Sequence, residues 1–403
     1  MIVRTTRVLA EIAAASLLGI MLLTGAAAWR LSQGPVPLNF LTPHFEEALN
    51  GHGAPFRVTL EKTILAWAGW ERTLDIRVVD VRATAKNGRL IAQVPEISVS
   101  VSVRGLLQGI VAPTSLDLIG GSLQLVRRKN GELAMTFGDL TGEGEDSIRD
   151  AVFERLIEVL SAEPSPDRPA SYLRRVSILD ARLRIDDRSA GVVWGAPETN
   201  IILLREDGEI QGTFFTQLDI GGSITAVNGA ASWQPNSDII RIDTEFSGVR
   251  TDRVAAKLPF LKGLESLRLN VRGRVGSTIT LDGELRDANF DLVAGQGQAT
   301  YSAFWPSGLP IKSAHIQGSF DGDTGSLEID KLLVDLDGPK LSGRTTVLKL
   351  GDGLAIDGVV TIDRLKLEAL SRYWPGNVAS RPRKWVLENM PSGIVEGTKA
   401  TLS

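Results

Sequence analysis

The chain has 403 residues, with 44 Lys+Arg against 48 Asp+Glu and a formal charge of −4. It contains no cysteine, which excludes disulfides, thiolate zinc sites, iron–sulfur clusters and cysteine nucleophiles. Only His44, His52 and His315 are present, and the mildly acidic balance gives no broad basic surface for nucleic acid. With 43% hydrophobic residues the chain can bury a large core, so wholesale disorder is not expected.

The first informative segment is Val8–Trp29, VLAEIAAASLLGIMLLTGAAAW. A bilayer-spanning helix needs about 20 mostly apolar residues, and this run is that long. Its one charge, Glu11, sits one helical turn after Arg7 and near the interface, where its cost is small. Arg4 and Arg7 precede the run, which predicts a cytoplasmic amino terminus. A cleavable signal peptide is the alternative, with Ala26-Ala27-Ala28 as the small-residue site. Either reading exports the rest of the chain, which in a bacterium means the periplasm.

Gly34-Pro35-Val36-Pro37 follows as a stiff linker, and Phe40–Asn50 reads as a short amphipathic helix. The texture then becomes β. Ile97, Val99, Val101 and Val103 alternate with Ser98, Ser100 and Ser102, the period-two pattern of a half-buried strand. The same pattern recurs at Leu123 and Leu125, at Leu183 and Ile185, and at Leu267, Leu269 and Val271. It returns again at Leu327–Asp330 and Ile356–Asp363. Glu206-Asp207-Gly208, Asp321-Gly322, Asp337-Gly338 and Asp352-Gly353 are turn signals between such runs, so antiparallel strands in series are predicted. Val176–Asp186 echoes Pro113–Val126, and each reads as a strand, a tight Asp/Gly turn and a second strand. One amphipathic helix, Asp146–Ala162, interrupts the series and divides the β region near residue 165. The expected segments are thus 1–33 (tip and anchor), 34–165 and 166–403.

A long antiparallel sheet with one apolar face must cover that face. A second sheet, closure into a barrel, or a curved sheet around an apolar occupant would each do so.

The search for catalytic chemistry is negative. Gly120-Gly121, Gly221-Gly222 and Gly295-Gln296-Gly297 lack the Gly-Lys-Ser/Thr of a phosphate loop and read as turns. Asp186-Asp187 and Asp321-Gly322-Asp323 lack spaced calcium ligands. No metal site and no cofactor is expected. Arg372, Arg381, Arg383 and Lys384 interleave with Tyr373, Trp374 and Trp385, as in a basic surface or an anionic head-group contact.

The most specific stretch is carboxy-terminal. Tyr373-Trp374-Pro375, then Arg383 and Trp385, then Gly393-Ile394-Val395, resembles a "YWP … R-x-W … G-x-V" segment of the large AsmA-like envelope proteins, the YhdP-like branch. Arg104–Gly109 resembles that family's "L-L-x-G" step between strands. The resemblance implies a mainly β fold: a transmembrane helix, then an elongated, twisted antiparallel sheet forming a taco-like apolar groove, with a few short helices. It implies a non-enzymatic, inner-membrane-anchored periplasmic protein that carries phospholipid acyl chains towards the outer membrane. Its partners would be phospholipids, the inner membrane and outer-membrane or other envelope proteins, with no nucleic acid. Acyl chains would lie on Ile97, Val99, Val101, Val103, Leu123, Leu125, Leu183, Ile185, Leu267, Leu269 and Val271. A closed-core assembly scaffold and a β-solenoid enzyme acting on polysaccharide are the alternatives.

Overall fold

The structure is a computed structural model. It describes residues 33–43, 56–66, 75–85, 90–102, 112–129, 133–137, 169–281, 283–301, 307–350 and 353–402 as continuous stretches, with isolated residues elsewhere. Of the apolar run 8–29, Leu18, Gly19, Met21, Leu22, Gly25, Ala26 and Trp29 are described; all are helical, and all but Gly19 are exposed. The rest of the expected anchor lies largely outside the described residues. Among the described residues, no helix is long and apolar enough to cross a membrane. The expected helix 146–162 also lies mostly outside them; its described end is helical and buries Leu160.

The fold is mainly β, with twisted, mostly antiparallel pairing, and the chain divides into two compact units. In the first, β1 (Val36–Pro37), β2 (Phe56–Thr59) and β3 (Lys62–Ala66) precede the long β4 (Asp75–Ala85). β3 and β2 pair with successive parts of β4. β5 (Leu90–Val101) pairs with β4 as well, then β6 (Pro113–Ile119) pairs with β5. All these pairs are antiparallel. β6 then pairs in parallel with the start of a later strand, Arg175–Leu179.

The second unit opens on β7 (Ser122–Arg127), followed by β8 (Leu133–Phe137). β7 pairs in parallel with Arg182–Asp187, the later part of β9 (Arg175–Asp187). Partners in both parallel pairs stand 60 residues apart, so the two echoing segments lie in one register. This parallel pairing departs from the antiparallel series expected. Gly120 and Gly121 (φ 73° and 84°) follow β6, and Asp180 (φ 54°) lies within β9.

A meander follows: β10 (Val192–Glu206), β11 (Glu209–Asp219), β12 (Ile224–Trp233) and β13 (Ile239–Arg250). Each is antiparallel to the next. Asp207 and Gly208 both have positive φ (48° and 81°), as a two-residue type I′ hairpin requires. After helix α1 (Thr251–Lys257) and β14 (Leu267–Arg268), the meander resumes with β15 (Asn270–Thr280) and β16 (Leu285–Ala294). β17 (Gly297–Ala299) and β18 (Leu309–Ile311) join β14 in a separate three-stranded sheet. The expected strand over 267–271 is therefore split between two sheets. β19 (Ser313–Asp321), β20 (Ser326–Asp335), β21 (Lys340–Leu350) and β22 (Gly353–Lys366) continue the meander. Helices α2 (Leu370–Tyr373) and α3 (Ser380–Asn389) then lead to β23 (Ile394–Leu402), paired with β22.

Connections at the two ends of these strands differ. One end carries only short turns, such as 207–208, 234–238 and 322–325. The other carries α1, the three-stranded sheet, α2 and α3. The main dry core lies at that structured end. Leu269, Ala294, Ala299, Leu309, Ile311, Ala314 and Leu336 form it, with Leu267, Val271, Trp305, Leu341 and Tyr373 packed around.

Candidate functional site

Register assigns the side chains of the second unit to two faces, because residues directly opposite in a ladder share a face. One transverse row runs Ile201, Phe214, Gly229, Thr244, Val275, Phe290, Gly318, Ile329, Thr345 and Gly358. The next runs Val227, Phe246, Gly273, Leu292, Ile316, Leu332, Gly343 and Val360. Neither row contains a charge. The opposite face carries Glu245, Asp243, Arg274, Arg272, Asp291, Gln317 and Lys331.

The charged face is solvated and paired within itself. Arg274 Nε lies 3.6 Å from Glu245 Oε2. His315 Nε2 and Gln317 Nε2 both lie 2.7 Å from Asp291 carboxylate oxygens. Those two hydrogen bonds, from Gln317 first and His315 second, hold the Asp291 carboxyl below its ordinary range.

The apolar face is different. Its central side chains, Phe214, Phe246, Val275, Phe290, Leu292, Ile316 and Leu332, are all half-buried and none is fully buried. Among the described residues, the elements these strands chiefly contact are their own ladder neighbours. Towards the turn end the exposure rises: Leu285 and Leu281 are exposed, and Ile356 is 45% exposed.

Glycine makes this face close-packed laterally. Gly229 lies under the Phe214 ring, and a Cβ there would collide with it and come within 2.8 Å of the Asp243 carbonyl. At Gly318 the Phe290 Cζ would be 2.8 Å away, and at Gly273 the Leu292 Cδ2 would be 2.6 Å away. These three glycines do not have positive φ. They are required for space: besides those side chains, a Cβ would meet the Asp291 carbonyl at Gly273 and the Glu328 carbonyl at Gly318 more closely still.

The first unit shows the opposite assignment of cover. Ile76, Val99, Leu116 and Val176 share one face with Val78, Ile97, Leu118 and Ile178. Ile97 and Val99 are only half-buried, whereas Ser98 and Ser100 are each 3% exposed. The alternation is as expected, but the polar face is the more deeply covered one. Asp75, Ser100, Ser115, Asp117 and Ser177 line it, Ser100 Oγ donates to Asp75, and Arg175 Nε lies 2.9 Å from Ser177 Oγ.

The expected apolar residues distribute unevenly. Val101, at 6% exposure, is buried, and Val103 lies outside the described residues. Leu123 faces Leu183 and Leu125 faces Ile185 in the parallel pair; Leu123 is buried and the others half-buried. Leu269 is buried in the core at the structured end, with Leu267 and Val271 half-buried against it. The split of 267–271 between two sheets separates Leu267 from Val271, which lies on the same face as Gly273 and Val275. Sequence reasoning did not reach the residues of this half-buried face, Phe214, Phe246, Phe290, Ile316 and Leu332. Their signal was present: Val271, Gly273, Val275, Ser277 and Ile279 alternate with Arg272 and Arg274.

The carboxy-terminal motif has a structural role. Tyr373 packs on the dry core, and its carbonyl accepts from Trp305 Nε1 at 3.3 Å. Arg383 Nε donates to the Trp374 carbonyl at 2.9 Å, tying α3 back to α2. Pro375 opens the turn between them, with Val378 N donating to its carbonyl. Gly393 has φ 142° and its carbonyl accepts from Leu367 N. Trp385 stands 60% exposed. No group of acidic or histidine side chains able to hold a metal occurs among the described residues. No family model, curated protein or solved structure matches the chain.

Proposed function

We propose that this chain is a non-enzymatic lipid-handling protein of the AsmA-like kind, whose second unit holds phospholipid acyl chains against its apolar face. Anchoring in the inner membrane and traffic towards the outer membrane belong to the same proposal. One observation carries it: across many consecutive strands, two adjoining rows contain no charge and their large apolar side chains are only half-buried. A face of that extent is unfavourable in water and is stabilised by an apolar occupant. Each acyl CH₂ removed from water contributes about 0.8 kcal/mol, so a chain spanning a few strands is held without any deep pocket. Such contacts are non-directional, which suits an occupant that slides.

The test uses the full chain extracted in mild detergent. Bound lipid is sought by native mass spectrometry, with photoreactive residues at Phe290 and Ile316 and, as controls, at Arg274 and Lys331 on the charged face. Crosslinks to lipid from the apolar face and none from the charged face are expected. Absence of co-purified lipid together with silent crosslinkers at Phe290 and Ile316 overturns the proposal.

A further inference from the structure

We infer that the cavity at the structured end of the second unit is a head-group site for a zwitterionic phospholipid, one bearing a phosphate ester and a primary ammonium. This rests on the lipid reading above and adds to it the polar half of the ligand.

The cavity has a volume of about 640 Å³, within the usual range for small-molecule sites. Its walls include Arg364, Lys366, Arg372, Asp337, Glu396 and Tyr373. Register places it at the end of the apolar face. In the β22–β23 ladder, Val360 faces Ala400 and Ile362 faces Thr398; two residues on, Arg364 faces Glu396, and then Lys366 faces Ile394. These positions alternate by two, so Arg364, Glu396 and Lys366 lie on the same side of the sheet as the apolar rows. A lipid lying parallel to the strands on that side, across the rows, brings its polar end to this cavity.

The charges suit both ends of a zwitterion. Arg364 Nη2 is paired with Glu396 Oε1 at 2.8 Å. Lys366 and Arg372 make no ion pair or side-chain hydrogen bond among the described residues, and they are the donors for a phosphate. Asp337 lines the same cavity and offers a carboxylate acceptor for an ammonium. Asp363 is already engaged, accepting from the backbone N–H of Lys340 at 2.8 Å and from that of Arg364. A simple anion would meet the acids as well as the cations, so a bare phosphate or a glycerol head group is a poorer match. Gly338 keeps the cavity's shape: a Cβ there would come within 2.6 Å of Tyr373 Oη, which donates to the Asp337 carbonyl at 3.4 Å.

The experiment measures binding of tail-labelled lipids with identical acyl chains to the full chain in detergent. The probes are phosphatidylethanolamine, phosphatidylglycerol and diacylglycerol, with soluble glycerophosphoethanolamine as competitor. Wild type should bind phosphatidylethanolamine about three- to tenfold more tightly than diacylglycerol, the scale of two exposed charge contacts. K366E/R372E should bring that ratio close to one while diacylglycerol binding stays unchanged. D337N should reduce the preference for phosphatidylethanolamine over phosphatidylglycerol. All substituted side chains are exposed or at a turn, and circular dichroism checks that each variant is folded. If both lipids bind wild type equally, or K366E/R372E leaves the ratio unchanged, the head-group site is refuted and the acyl-chain reading stands. Displacement by the soluble competitor at concentrations equal to the lipid also refutes it, because the site would then serve a free phosphoester. If wild type binds neither lipid, both readings fall.

Discussion

Ile316→Asp tests whether the apolar face is open. Ile316 sits mid-sheet, facing Leu292 on one side and Leu332 on the other, and is half-buried. Full burial of an isoleucine is worth about 1.5–3 kcal/mol, so removing a half-buried one forfeits about 1–1.5 kcal/mol. Aspartate is also a poor strand residue, on a scale that spans about 1 kcal/mol. On an open face the new carboxylate stays hydrated, and the total loss is about 2 kcal/mol. On a face sealed by a second layer the charge would be buried without a partner, adding about 3–5 kcal/mol. Urea unfolding followed by circular dichroism separates the two sums. The expected variant folds, loses about 2 kcal/mol, and gives at least about tenfold weaker lipid crosslinking. A variant that does not fold, or that loses more than about 4 kcal/mol, would show the face to be closed and would sink the conduit. Val101→Asp serves as the contrast, because that valine is fully buried and the same charge there should prevent folding of the first unit.

Gly229→Ala should destabilise by about 1–3 kcal/mol through overpacking against Phe214, and Phe214→Ala should recover part of that loss in the double variant. Additive losses in a double-mutant cycle would refute the glycine–phenylalanine packing. Leu269→Ala should cost about 2–5 kcal/mol, since it opens a cavity in the sealed core, yet lipid bound per folded molecule should not change. The Asp363 carboxyl is held below its ordinary 3.8, chiefly by the backbone N–H of Lys340. Its contribution is therefore complete above pH 3.8 and is lost as pH falls through the lower folded value. Wild type should be more stable than Asp363→Ala at neutral pH, and the gap should close on acidification below 3.8; a gap independent of pH would contradict the assignment.

Much of this was legible from residues alone, and the failures have physical causes. Alternation at Ile97–Val101 identifies which residues share a face, because side chains in a strand alternate by two. It does not say which face another part of the chain covers, and there Ser98 and Ser100 proved the deeper pair. Turn chemistry was explicit at Asp207-Gly208, where both positions need positive φ. Glycines inside strands were harder. Gly229, Gly273 and Gly318 carry no turn; each is small because atoms of another strand lie close over it, the Phe214 ring at Gly229 and a backbone carbonyl with a side chain at Gly273 and Gly318. Register alone supplies the partner. The echo between 113–126 and 176–186 was visible, but similarity cannot distinguish two hairpins from two strands paired in parallel.

The same packing explains how a single layer persists with a face so little covered. Phe214 over Gly229 and Phe290 over Gly318 bury ring surface within the sheet itself, sideways. That recovers part of the apolar burial a second layer would provide, and both rings are half-buried. The structured end then supplies a conventional dry core, with Leu269, Ala294 and Ala314 closing one margin. The turn end has no equivalent among the described residues, and Leu285 and Ile356 remain exposed there. Stability and access are thus assigned to opposite ends of the same strands. A core substitution such as Leu269→Ala and a face substitution such as Ile316→Asp should therefore act independently: the first on folding, the second on lipid.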